Sequence, residues 1–251
     1  MQKISAFMIV YNEENKVLAA LQSIEFCDEI IIVDSGSQDN TVNICQDFGA
    51  TVIHQPWLGY AKQKQLALNQ CRYSWCLNID ADERISAELQ AEIKQTLSKD
   101  VTAVAYQLPN RNEFLRKMPP TGIHLDYHTR LFKRNQAKYN THNLVHESLL
   151  ISGKISKLHN LILHHSKETI KEFQNEIDNY STLRAHEKFL QRKHSSTLKL
   201  VFVFPLSFIK KYFLQRSFLF GTRGFILAFM CAYYSFMKEA KLWENHQQPH
   251  K

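Results

Sequence analysis

None of the five cysteines, Cys27, Cys45, Cys71, Cys76 and Cys231, stands in a Cys-x-x-Cys pair, and their number is odd. That pattern excludes the usual zinc frameworks and a disulfide scaffold, and it suits a reducing cytoplasm. The opening residues, Met1-Gln2-Lys3-Ile4-Ser5, lack the apolar core of a signal peptide, so export is not expected. No Gly-x-Gly-x-x-Gly loop is present; Gly36 allows close backbone approach but builds no phosphate cradle of that kind. The longest apolar runs of the C-terminal part, 200–209 and 224–237, fall short of the roughly 18 to 20 residues of a spanning helix. Between Glu187 and Glu239 there is no acidic residue. No internal repeat occurs, and no RNP-like or helix-turn-helix pattern accompanies the basic residues, so nucleic acid is not an expected partner.

The chain that remains is basic and well supplied with core material: 251 residues, 44% apolar, formal charge +7. The charge points to an anionic partner such as a phosphorylated substrate or phospholipid, and disorder is excluded by the apolar content. Up to about residue 100, short β-rich runs alternate with helical patterns. Strands are expected at 4–10, 29–34, 50–54 and 74–79, and helices at 13–24, 39–48, 60–71 and 86–98. This is the βαβ signature of a mostly parallel sheet sandwiched by helices. Further strands are expected at 103–108, 129–133 and 144–151, then a polar helix over 167–192.

In open α/β sheets ligands bind beyond the carboxyl ends of the strands. Three polar clusters fall there: Tyr11-Asn12-Glu13-Glu14, Asp34-Ser35-Gly36-Ser37, and Asn78-Ile79-Asp80-Ala81-Asp82-Glu83. The last crowds three carboxylates behind the apolar Trp75-Cys76-Leu77. Like charges this close repel, and burying them is costly unless a cation or hydrogen-bond donors compensate. A hard divalent ion with oxygen ligands, Mg²⁺ or Mn²⁺, is one solution, its shell completed by phosphate oxygens. The alternative is an exposed turn whose acids cap the next helix, and Asp34 likewise admits a helix-capping reading.

Taken together and in this order, the three clusters resemble the signature of family 2 glycosyltransferases, inverting enzymes with the GT-A fold. Gly59-Tyr60-Ala61-Lys62-Gln63-Lys64-Gln65, Thr129-Arg130-Leu131-Phe132-Lys133-Arg134, Val145-His146-Glu147 and Leu163-His164-His165-Ser166 resemble a lipopolysaccharide-core branch that transfers glucose from UDP-glucose to an inner-core heptose. The resemblance implies that Tyr11, Asn12, Glu13, Asp34, Lys64 and Asp80 meet the nucleotide, with Asp34 on the base. It implies a metal on Asp82 and, with His165 as competitor, on His164. An inverting transfer needs a base for the acceptor hydroxyl, and Glu147 is the expected one, with Glu83 and Asp126 as rivals. His146 and Arg130 would orient it or clamp a phosphate. Gln65 departs from the asparagine expected there, which weakens the Lys64 assignment.

The expected organisation is thus a GT-A catalytic domain over 1–166 and a helical, basic and aromatic extension over 167–251. Short apolar segments flanked by Lys and Arg fit helices in a membrane interface, so the extension is expected to hold the protein peripherally on the inner face of the cell membrane. The expected partners are a nucleotide sugar, a lipid-anchored glycan acceptor and an anionic membrane surface, with no obligatory protein partner. Rival readings are another nucleotide sugar, a polyprenyl-phosphate acceptor, or a nucleotide-binding membrane protein without catalysis.

Overall fold

The computed structural model describes residues 2–99, 102–141, 149–165 and 168–247. The chain divides into two compact units, Met1–Arg111 with Leu125–His165, and Asn112–His124 with Ser166–Lys251.

The first unit runs β1 (Ile4–Val10), α1 (Val17–Ser23), β2 (Glu29–Asp34), α2 (Thr41–Asp47), β3 (Thr51–His54), α3 (Tyr60–Gln70) and β4 (Trp75–Asn78). It continues with β5 (Glu83–Ile85), α4 (Ala87–Leu97), β6 (Ala105–Asn112), β7 (Asp126–Lys133), β8 (Ala137–Tyr139), β9 (Leu149–Ile151), β10 (Ile155–Lys157) and β11 (Ile162–His164). The sheet order is β3-β2-β1-β4-β7-β6-β11-β5, with β10 also pairing β6, while β8 and β9 form a separate ribbon. β3, β2, β1 and β4 are mutually parallel; β7 runs antiparallel to β4 and to β6. The sheet is therefore mixed, parallel in its first half as the βαβ pattern requires.

β1 shows why the parallel half holds together. Ile4, Ala6, Met8 and Val10 alternate into one apolar cluster with Leu21, Ile32, Trp75, Leu77 and Ile93, whereas Phe7 points into the other with Ile31, Val33, Leu68 and Phe132. Successive side chains of a strand face opposite ways, so a strand that is apolar throughout needs helices on both faces. Ser86 begins α4 as foreseen, its hydroxyl accepting from the Leu89 N–H at 3.2 Å, with Leu89, Ile93 and Leu97 buried.

Some expectations shift. The first helix begins at Val17 rather than 13, because the Glu13 N–H donates to Thr41 Oγ1 at 2.7 Å and the Glu14 N–H to Asp39 Oδ2 at 3.1 Å. Those bonds hold the segment in turns against the loop after β2. β5 lies inside what reads as a continuous turn, and most of the strand expected over 144–151 lies outside the described residues.

The second unit contains α5 (Ile170–Leu190), α6 (Thr197–Ile209) and α7 (Gly221–Gln247), with a π turn at Lys210–Leu214 and a 3-10 turn at Ser217–Phe220. Thr169 and Glu172 close a capping box at the start of α5. Phe114, Phe173, Ile177 and Phe220 form its core. Counting unbroken apolar runs misses one property here: the helical stretch Ser217–Gln247, 31 residues, is long and apolar enough by length and composition to cross a membrane. Arg223 bounds the run in the sequence, yet the helix continues through it.

Candidate active site

β1 and β2 are adjacent and parallel, so the loops leaving their carboxyl ends meet. Asn12 adopts φ 53°, its N–H donates to Ser37 Oγ at 2.9 Å and its Oδ1 accepts from the Gln38 N–H at 2.8 Å. Tyr11 stands out from this edge, 56% exposed, with Glu13 half-buried beside it. Burial pushes the Glu13 carboxyl above its ordinary range.

Asp34 ends β2 as a buried carboxylate. It accepts from the Gly36 N–H (2.9 Å), the Ser37 N–H (3.1 Å) and the Ser37 hydroxyl, and His54 Nδ1 lies 3.3 Å away. Burial works against its charge, but these donors outweigh it and hold the pKa below the usual carboxylate range. The turn it shapes uses Gly36 at φ 102°, a conformation that side chains other than glycine's rarely adopt.

The third cluster is an ionic network drawn from five strands and one helix. Asp80, just past β4, accepts from Lys64 Nζ of α3 at 2.9 Å and from Arg130 Nη2 of β7 at 2.8 Å. Burial opposes its charge, but the two cations outweigh it and keep the carboxyl well below its ordinary range. Arg130 also donates to Asn78 Oδ1 at 3.0 Å and to Glu83 Oε1 at 2.6 Å. Glu83, on β5 and 1% exposed, takes a further bond from Asn110 Nδ2 of β6 at 2.9 Å, and its other oxygen accepts from the Asp80 N–H. Burial pushes the Glu83 carboxyl upward despite Arg130. Tyr139 closes the network by donating to Asn78 Oδ1 at 3.2 Å.

Asp82 stands apart from these cations. Its Oδ2 lies 3.0 Å from His164 Nε2 on β11, and its carbonyl accepts from the His165 N–H at 2.8 Å. The pairing follows from β11 running antiparallel to β5, with His164 opposite Glu83. Burial disfavours charge on both groups, but their mutual contact lowers the Asp82 pKa and raises that of His164. Among the described residues no group of three or more His, Cys, Asp or Glu side chains is arranged to hold a metal on its own.

These contacts join Lys64, Asp80 and Arg130 in one network and pair Asp82 with His164 beside it, while Asp34 at the end of β2 is held by its own turn and His54. Glu147 and His146 lie outside the described residues. Asp126, at the start of β7, is exposed. Asn78 stands in the third motif without an assigned role, and Asn110 and Tyr139 are members of the network that motif reading leaves out. The one signal for Asn110 is the polar run Pro109-Asn110-Arg111-Asn112 ending a strand, and Tyr139 carries none.

A half-parallel α/β sheet with acidic residues gathered beyond its strand ends is the plan of a sugar-transferring GT-A enzyme. Residues 5–157 match the family model described as Glycosyl transferase family 2, and the chain belongs to that family: it is a glycosyltransferase. Among its relatives is the lipopolysaccharide core biosynthesis glycosyltransferase LpsC of Rhizobium meliloti, 34% identical over 250 residues, which are 97% of this chain and 93% of LpsC. The uncharacterized glycosyltransferase RP128 of Rickettsia prowazekii is 36% identical over 254 residues, 96% of this chain and 87% of the relative. The crystal structure of S. aureus TarS 1-349 shares the fold, with a TM-score of 0.51 at 16% identity, covering 98% of this chain and 91% of that one.

Proposed function

We propose that this enzyme builds the lipopolysaccharide core, transferring a hexose with inversion, glucose from UDP-glucose, to an inner-core heptose. The observation that carries this reading is the likeness to LpsC over nearly the full length of both chains. The separation of the acids into differently partnered groups supports it.

In this reading Asp34 receives the N3–H of the uracil base, the contact with the exposed His54 giving way, while Tyr11, Asn12 and Glu13 line the nucleoside. A carboxylate has about four acceptor positions, so local bonds and a base contact compete for them. Asp80 faces the ribose. Lys64 and Arg130 fix both its oxygens, so its orientation is set before the donor arrives, which is how a site avoids reorganisation during reaction.

A divalent cation, Mg²⁺ or Mn²⁺, fits Asp82 and His164. A carboxylate and an imidazole are acceptable donors for such an ion, and only two protein donors leave room for diphosphate oxygens. Once bound, the ion would neutralise charge on the nucleotide leaving group. His164 must give up its proton to serve as a ligand, so acid opposes loading.

Glu147, with His146 beside it in sequence, is the proposed base that takes the acceptor hydroxyl's proton. The acceptor would be lipid-anchored, and the basic second unit would keep the enzyme on the inner face of the cell membrane, in the cytoplasm. The test is nucleotide release from a panel of nucleotide sugars with delipidated core acceptor: UDP-glucose should be consumed in preference, and Glu147→Gln should bind UDP yet transfer nothing. Turnover of Glu147→Gln at the parent rate would eliminate the base assignment. Preference for another donor would eliminate the glucose assignment.

A further inference from the structure

We infer that the second unit lies in the plane of an anionic lipid surface on an apolar face made by α6 and the turn after it, and that α7 does not cross the bilayer. This rests on the membrane attachment proposed above and names the face and the depth that attachment would use.

α6 buries none of its residues. Leu198, Val201, Phe202 and Leu206 recur at three- and four-residue spacing, which places them on one side of a helix. They are 72%, 60%, 52% and 61% exposed, and the stripe extends through Phe213 and Leu214 of the π turn, at 55% and 75%. On another side of α6, Phe204 and Phe208 pack edge-on against Phe229 and Phe225 of α7, with ring centroids 5.2 and 5.6 Å apart. The helix is thus apolar both where it is packed and where it is open, and an open apolar patch of this extent marks a surface that something covers.

The charge around it says what. Lys210, Lys211 and Arg216 lie at the end of the stripe, and the whole stretch from Lys188 to Lys238 carries nine basic residues and no acid. A bulky apolar stripe rimmed by cations of one sign complements an anionic headgroup layer above hydrocarbon.

α7 meets the length and composition of a spanning helix, but its neighbours forbid that use. Glu239, 1% exposed, accepts from Lys188 of α5 and forms an ion pair with Lys199 of α6 at 3.0 Å, so one carboxylate on α7 ties all three helices together. Lys241 of α7 donates to Asp178 Oδ1 and Thr182 Oγ1 of α5, each at 2.6 Å. α5 is an openly polar helix: Lys171, Glu172, Gln174, Asn175 and Asn179 are all exposed. Carrying α7 across hydrocarbon would either drag those groups with it or break the Glu239 junction and strand its charges. Lying flat, the unit keeps both the junction and the polar face in water.

The test uses the full-length protein with phosphatidylcholine vesicles, with and without phosphatidylglycerol. Binding should require the anionic lipid and weaken with salt, and Leu206→Ser combined with Phe213→Ser should cut partitioning by more than about tenfold. Both side chains are mostly exposed, so circular dichroism and the melting temperature should stay put and confirm folding. Alkaline carbonate should strip the protein from cell membranes. Failure to bind any vesicle overturns the attachment and this inference together. Binding that the double variant leaves unchanged overturns only the face. Retention in carbonate, with a tag after residue 247 reached only from the far side, shows that α7 spans. Self-association lost in the double variant, without vesicle binding, assigns the face to a second copy instead.

Discussion

Arg130→Met is the perturbation that most directly probes how the site is held. The guanidinium is 12% exposed and bonds Asn78, Asp80 and Glu83 at 3.0, 2.8 and 2.6 Å. Removing one partner of a buried ion pair costs about 3–5 kcal/mol, because the other charge is left uncompensated. Here the penalty belongs at the lower end. Asp80 is 32% exposed and keeps Lys64, whereas Glu83 is 1% exposed and retains only the Asn110 amide and the Asp80 N–H among the contacts described above. A loss of about 3 kcal/mol follows, roughly a hundredfold in the folding equilibrium, and Met fills much of the volume so that the loss reflects charge rather than a cavity. Urea unfolding followed by tryptophan fluorescence measures it, since Trp75 is fully buried in β4. Glu83→Gln should soften the effect: the double variant should be more stable than the sum of the single losses predicts by about 1.5 kcal/mol or more. Strict additivity, or an Arg130→Met loss below about 0.5 kcal/mol, would refute the account of a charge-locked turn.

Asp34→Asn should weaken UDP binding by about tenfold or more, the worth of a charged hydrogen bond, in calorimetric titration; unchanged affinity would leave Asp34 as a turn-forming residue only. Asp82→Ala should abolish stimulation of transfer by Mn²⁺ while leaving the urea midpoint nearly unmoved, since the residue is only partly buried. Acid should loosen the second unit through Glu239. Burial opposes its charge, but Lys188 and Lys199 outweigh it and depress its folded pKa, so its contribution is complete above the ordinary glutamate range of about 4.3. That contribution is lost as the pH falls through the depressed value. Glu239→Gln should flatten this limb of a thermal-stability profile, and an identical profile in the variant would count against it.

How much of this is legible in the sequence depends on how local the cause is. β1 and β2 end where their apolar runs meet Tyr11 and Asp34, because a strand buried on both faces declares itself by composition alone. The acids at the strand ends are legible for the same reason, and a family signature draws on them. The partners that decide their states are not. Arg130 and Asn110 reach Glu83 from 47 and 27 residues away, and Tyr139 reaches Asn78 from 61. The sequence therefore presents Asp80, Asp82 and Glu83 as three similar carboxylates, although one is clamped by two cations, one faces a histidine and one is buried. Helix α1 starts late for a related reason: the bonds that hold residues 13 and 14 in turns come from the loop after β2. In the second unit the polar helix expected over 167–192 is legible as α5, but the ionic junction at Glu239 depends on residues 51 and 40 positions earlier, Lys188 and Lys199.

The network around Glu83 also limits how this enzyme can be recombined with its relatives. The acidic motif ends at Glu83, yet the groups that seat it, Asn110 and Arg130, belong to the antiparallel half of the sheet. A chimera that joins residues 1–100 to the second half of another family member would inherit the acids without their supports. Unless that half supplies an amide and a guanidinium at the same two register positions, the graft should fold poorly or misplace Asp80. A successful exchange would have to leave β6 and β7 intact and replace only the segments between and beyond them.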